Sequence, residues 1–224
     1  MFDIAQLNVP VTWTKAEEAK NPTDTQKVAL TRAKLENGIN SHDDLLEQRI
    51  FTSSTAGGIE INGLNSLVSN AGTGTVGGID SGTETWWQNQ TDTFTDGSDI
   101  EAAMTEMFNS CAKGSGAVLS PKCLISGSAT HALFESQLQS LIRYTDTQEA
   151  NHGFKVLAFK DARYIFSHRG GTSIYFLNPK NFNLTVSKEY FRDRGDTQEI
   201  PNANGFTCKI YSALQSTTDN RSRL

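Results

Sequence analysis

Few residues of this chain are spaced as catalysis would require. Gly72, Gly74 and Gly77 form the pattern G-x-G-x-x-G, which in a dinucleotide site lets a pyrophosphate approach the backbone at a helix N-terminus. That chemistry needs a strand before the glycines and a helix opening among them. Here a helix-like segment precedes them, and Gly78, Ile79, Asp80, Ser81 and Gly82 follow, a run that cannot open a helix. The expectation is a glycine-rich loop; the competing one is a small nucleotide-using enzyme built around Gly72–Gly78. His42, His131, His152 and His168 lack the spacing to carboxylates or thiols of a metal site. Ser167 and His168 could pair as nucleophile and base, but neither a G-x-S-x-G elbow nor an orienting acid accompanies them. Asn89, Asn183 and Asn220 open N-x-S/T triplets in a chain with no recognisable secretory signal. No catalytic, cofactor or metal residue is therefore assigned, and no enzymatic activity is expected. The adjacent Trp86 and Trp87 stand apart, as candidates for packing or for a subunit interface, where tryptophan is enriched. Trp13 is a third candidate of the same kind.

The elements that must position these residues are mixed. Leu7, Val9, Val11 and Trp13 alternate as in a half-buried strand, and Pro10 favours a sheet edge because it cannot donate to a ladder. From Asn21 to Phe51 one long amphipathic helix is expected, with Asn21 or Thr23 as cap and Pro22 in the first turn. Its stripe is Val28, Leu35, Ile39, His42, Leu46 and Ile50, and Gly38 marks the expected place for any bend. A helix of about 45 Å with a single stripe suits a strut lying on a sheet. A short apolar piece follows at Ile59 to Val68. Residues 69–98 are rich in Gly, Ser, Thr and Asn, yet hold Val76, Ile79, Trp86, Trp87 and Phe94, so an ordered loop is expected.

Beyond it, Ser98 or Asp99 caps a helix through Cys111 with Ile100, Ala103, Met104, Met107 and Phe108 on one side. Lys122 to Ser126 reads as a strand. A helix from Ser128 to about Tyr144 presents Ala132, Leu133, Leu138, Leu141 and Ile142. Strands are expected at Phe154–Phe159, Arg163–Ser167, Ser173–Leu177 and Phe182–Val186, and a last alternation runs over Phe206, Cys208, Ile210, Tyr211 and Leu214. Strands and helices without regular alternation define an α+β class.

Composition narrows the function classes. A formal net charge of −5 argues against a basic nucleic-acid-binding surface. No apolar run is long enough to span a bilayer. Cys111, Cys123 and Cys208 are an odd number without metal-ligand spacing, so reduced thiols in a cytoplasmic setting are expected.

Several stretches in fixed order resemble one family. TVGGID at 75–80 followed by Trp86-Trp87, L-x-x-x-K-L-E-N at 30–37 with LLEQRIF at 45–51, HALFES at 131–136 and LIRYTD at 141–146 carry the likeness. GFKVLAFKDARYIF at 153–166, YFLNPKNFNLTV at 175–186 and NRSR at 220–223 continue it over nearly the whole chain. Together they resemble the major capsid proteins of tailed bacteriophages. The resemblance implies the Hong-Kong-97-like capsid fold, shared with encapsulins: a spine helix, a peripheral domain (1–55 with 183–224) and an axial domain (56–182). It further implies a non-catalytic coat protein of a phage or prophage, without cofactor, self-assembling through pentamers and hexamers into an icosahedral shell. Such a shell encloses DNA without specific binding, involves no membrane, engages a scaffold, portal and maturation protease, and is assembled in the bacterial cytoplasm. An encapsulin-type compartment is the same-fold alternative. Family members usually carry an N-terminal arm and an outgoing loop strand ahead of the position of Phe2. The resulting expectation is a chain that folds but stays a monomer or small oligomer alone, with residues 1–8 the least ordered.

Overall fold

The computed structural model describes residues 3–52, 60–112, 120–138, 157–201 and 203–224. The chain divides into two compact units, Phe2–Asn62 with Leu184–Ser216, and Gly63–Asn183 with Thr217–Leu224. The sequence reading had grouped the tail 217–224 with the long helix.

The first unit is a helix on a sheet. β1 (Ala5–Thr14) runs antiparallel to β11 (Gly205–Thr218), from Ala5 opposite Leu214 to Thr14 opposite Gly205. Ala5, Leu7, Val11 and Trp13 are buried while Gln6, Asn8, Pro10, Thr12 and Thr14 face water. β1 lies at the sheet edge, where the missing N–H of Pro10 costs no ladder bond. Residues 5–8, expected among the least ordered, pair with Leu214 to Tyr211 of β11. The short strands β8 (Phe182–Val186), β9 (Asp193–Arg194) and β10 (Gln198–Glu199) pair along β11.

A short helix, α1 (Lys15–Ala19), was not foreseen. Thr14 and Glu17 close a capping box, with Glu17 N–H to Thr14 Oγ1 at 3.2 Å and Thr14 N–H to Glu17 Oε2 at 2.9 Å. α2 (Asp24–Phe51) begins at the N-cap Thr23, so Pro22 lies outside the helix rather than in its first turn. The apolar stripe needs correction too. Val28 is 68% exposed and Ile39 38%, while the buried positions are His42, which the stripe included, and Gly38 and Phe51, which it did not. Gly38 is a contact point. A Cβ there would stand 2.4 Å from Val11 Cγ2 and 2.9 Å from Ile210 Cδ1, so glycine lets helix and sheet approach.

In the second unit a four-stranded sheet has the order β5 (Leu157–Phe159), β6 (Ala162–Ser167), β4 (Cys123–Gly127), β7 (Tyr175–Leu177). β4 and β6 are parallel; the other pairs are antiparallel. α4 (Ile100–Cys111) and α5 (Ser128–Leu138) contribute to one core with this sheet: Ile100, Met104, Phe108 and Cys111 from α4, Phe134 from α5, and Leu124, Tyr164 and Phe176 from the strands. The α4 face is the expected one. On α5, Thr130, His131 and Phe134 are buried and Ala132 is exposed, so the face is rotated by one residue from the expected one. Residues 139–144 of that helix, and 154–156 of the next strand, lie outside the described residues. The apolar piece before the glycine loop contains one helical turn, α3 (Leu64–Leu67), with both leucines buried.

Candidate functional site

The glycine run makes a hairpin. β2 (Thr75–Val76) and β3 (Ile79–Asp80) pair antiparallel across the two-residue turn Gly77-Gly78, whose φ values of 64° and 83° are those a primed hairpin turn requires. No helix opens here, and the dinucleotide geometry is not formed. The loop's carbonyls instead surround a side chain the sequence analysis left without a role, Arg221. Its Nε donates to Leu67 O at 2.7 Å. Nη1 donates to Gly74 O at 3.1 Å and Ser81 Oγ at 2.9 Å, and Nη2 to Ser69 Oγ at 3.3 Å and Thr73 O at 3.5 Å. All five guanidinium N–H groups thus have acceptors, on a side chain that is 0% exposed. Burial pulls its pKa below the ordinary arginine range. A basic residue in a polar tail gave no pattern from which this role could be read.

The cage fixes the tryptophans that follow. Ser81 N–H bonds Gly74 O at 3.3 Å, Gln88 Nε2 bonds Ser81 O at 3.0 Å, and Trp87 Nε1 bonds Val76 O at 3.1 Å. Trp87 is buried, whereas Trp86, in the same 3-10 turn (Thr85–Trp87), is 60% exposed. Its Nε1 is held by Glu84 Oε2 at 2.6 Å, and the two indoles meet edge to face at 5.5 Å. An exposed indole with its polar end satisfied presents only apolar surface. Trp13, far off in sequence, packs 6.0 Å from Phe206 and donates to Glu18 Oε1 at 2.9 Å. The sequence thus named three tryptophans together, while the structure separates two packing residues from one surface residue.

A Ser-His-Asp arrangement does exist, though not at Ser167-His168. His42 Nε2 lies 2.9 Å from Ser212 Oγ, and its Nδ1 lies 3.5 Å from Asp43 Oδ1. Asp43 in turn receives both oxygens' bonds from Arg192 Nη2, at 2.7 and 2.6 Å, and Arg192 N–H donates to Ser212 Oγ at 2.8 Å. His42 and Ser212 are both 0% exposed, so no substrate carbonyl can reach the hydroxyl. The arrangement ties α2 to β11 and to the segment carrying Arg192. His168 is exposed beside Phe166, 5.8 Å away; His152 lies outside the described residues. His131 is buried against Tyr164 and Phe166, at 4.8 and 5.1 Å. Burial lowers its pKa from the ordinary 6.5, opposed by Glu135 and a backbone hydrogen bond at Tyr164. Burial likewise pushes the Tyr164 hydroxyl up to about 12, though Ser126 Oγ is 2.7 Å away. Among the described residues no cluster of three or more His, Cys, Asp or Glu could hold a metal ion, and the three cysteines form no disulfide. No helix among them is long and apolar enough to cross a membrane.

No protein-family profile matches the sequence, and no curated protein matches it. Solved structures do match in fold. A chain of the cyanophage A-1(L) capsid asymmetric unit superposes with a TM-score of 0.60 at 12% identity, covering 97% of this chain and 75% of that one. The encapsulin of the holo-SrpI complex from Synechococcus elongatus gives 0.62 at 12% identity, covering 97% and 71%. The capsid of the myovirus XM1 gives 0.56 at 12% identity, covering 97% and 69%. The chain therefore has the Hong-Kong-97-like capsid fold, an α+β fold found here in phage capsid proteins and in an encapsulin.

Proposed function

We propose that this chain is a structural, non-catalytic shell subunit: the major capsid protein of a tailed phage or prophage, working by self-association into pentamers and hexamers of an icosahedral shell. The observation that carries this reading is the likeness in fold to phage capsid chains across 97% of the chain. Three features support it. The glycine run encloses an arginine rather than offering a phosphate cradle, and the Ser-His-Asp arrangement is sealed. The first unit, helix on sheet, suits the peripheral domain, and the second suits the axial domain. Trp86 is a fixed apolar side chain on the surface of that second unit, as a subunit contact requires.

On this reading Trp13 and Trp87 are packing residues and Trp86 an interface residue. Enclosed DNA meets the chain only through weak, screened contacts, given the net charge of −5. Scaffold, portal and maturation protease are the partners such a shell would have, and the virion capsid its location. The encapsulin compartment is a second reading, supported by the likeness in fold to the encapsulin at a TM-score of 0.62. Expression of the chain followed by negative-stain microscopy of the purified protein tests the first reading. Rings or closed particles support it. Particles that carry a host protein and no DNA in the native source would move it to the second. Micromolar, saturable binding of a dinucleotide or nucleoside triphosphate by isothermal titration would overturn both.

A further inference from the structure

A cavity of about 350 Å³ lies within the second unit, among the segment 89–94, α4 and the stretch 172–176 that leads into β7. Phe94, Met104, Met107 and Phe176 supply its apolar lining, and no lysine, arginine or histidine among the described residues lines it. Asp92, the one carboxylate of the lining, is exposed to solvent. Asn89 also lines the cavity and is only 4% exposed. Its Nδ2 commits both hydrogens, to Ser69 O at 2.8 Å and to Gln90 O at 3.1 Å. Turning the amide over would set Oδ1 against those two carbonyls, so its orientation is fixed. Oδ1 is buried, and no described group donates to it. A buried amide oxygen is seldom left so, and a donor from outside the chain would account for it. The anchor of Asn89 is itself held, because Ser69 Oγ accepts from Arg221 Nη2 at 3.3 Å and donates to Thr73 O at 2.7 Å. The acceptor is therefore set in place before any ligand arrives.

We infer that this cavity binds a small neutral aromatic molecule bearing an N–H or O–H, which donates to Asn89 Oδ1. Size, charge and lining each select that class. The volume stands near the lower end of the roughly 300–1,000 Å³ of ligand pockets, which suits one ring or two fused rings. An anion would enter with no basic group to pair with, and Asp92 would repel it. Two thioethers beside two phenyl rings favour an aromatic guest, and methionine adapts to the shape presented. A purely aliphatic guest would leave the buried oxygen without a donor. The inference does not depend on the shell-subunit reading, which requires no small ligand.

Isothermal titration of the full chain with indole and with benzofuran, the isostere in which oxygen replaces the N–H, tests this. Indole should saturate a single site with a Kd of roughly 1 mM or below, at least ~10-fold tighter than benzofuran. In spectra of protein labelled at its methionine methyl groups, the signals of Met104 and Met107 should move with indole and that of Met1 should not. Ala103→Phe fills the cavity from the half-buried side of α4 and leaves the bonds of Asn89 alone. It should remove indole binding from a chain that still unfolds cooperatively. Equal affinity for the two probes would overturn the part given to Asn89 Oδ1, and the inference with it. Binding that leaves both cavity methionines unmoved, or that survives Ala103→Phe, would lie elsewhere and overturn the site. No saturable binding of indole up to roughly 5 mM would leave water as the donor to Asn89 and overturn the inference. Indole that binds only as oligomers dissociate would mean that a side chain of a second copy fills the cavity. That result would overturn the small-molecule site and leave the shell reading standing.

Discussion

Arg221 is the residue whose loss the structure makes most costly. It is a buried cation solvated by protein carbonyls and hydroxyls, and no carboxylate is among its hydrogen-bond partners. Arg221→Lys replaces a planar five-donor fork by a compact ammonium that cannot reach the acceptors on Leu67, Gly74 and Ser81 together. A loss of about 3 kcal/mol or more is expected, read as a shift of the denaturant midpoint. The two tryptophans should separate sharply by the same measurement. Trp87→Ala should cost ~3–5 kcal/mol, whereas Trp86→Ala should leave stability within about 1 kcal/mol and weaken self-association instead. His131 gives a pH signature. Its folded pKa lies below the ordinary 6.5, so the unfolded chain takes the proton first. The stability this group contributes is therefore complete above pH 6.5 and declines as the pH falls below it. Chemical denaturation at pH 7 and again below 6 should show a smaller loss for His131→Gln than for the wild type; an equal loss would mean that the buried ring does not set the slope.

At the scale of elements, the sequence was legible where one periodicity acted alone. The α2 strut, the β1 edge strand with Pro10 and the α4 face of Ile100, Met104 and Phe108 follow from local pattern, and the structure has them. It was illegible where a tertiary contact chose the face. Leu35, His42 and Leu46 of the expected stripe do face the sheet, but Ile39 is exposed and a close approach to Val11 and Ile210 falls at Gly38, which a hydrophobic pattern does not mark. The α5 face turned by one residue for a similar reason, since Phe134 and the His131 ring pack on Tyr164. Of the candidate site, the Trp86-Trp87 pair was legible from composition, but which indole was buried depended on the Arg221 cage, set by residues more than a hundred positions away. Gly38→Ala tests the helix–sheet contact. Alanine gains about 1 kcal/mol of helix propensity, yet its Cβ must displace Val11 or lift the helix. Net destabilisation of roughly 1–3 kcal/mol is expected; a more stable variant would show that the approach at Gly38 is not close.

For the whole molecule, the fold supplies two units, and the proposed role asks them to act in copies. The second unit holds the exposed Trp86, the side chain proposed to join neighbours. Small surface contacts are weak singly and gain strength by closing a ring or shell. Sedimentation velocity over roughly 1–100 µM, a range spanning weak interfaces, is the most direct measurement. The account expects wild-type protein to move with rising concentration from monomer to a small oligomer, and Trp86→Ala to remain monomeric while folded. A single monomeric boundary for the wild type throughout the range, or association unchanged by Trp86→Ala, would contradict it.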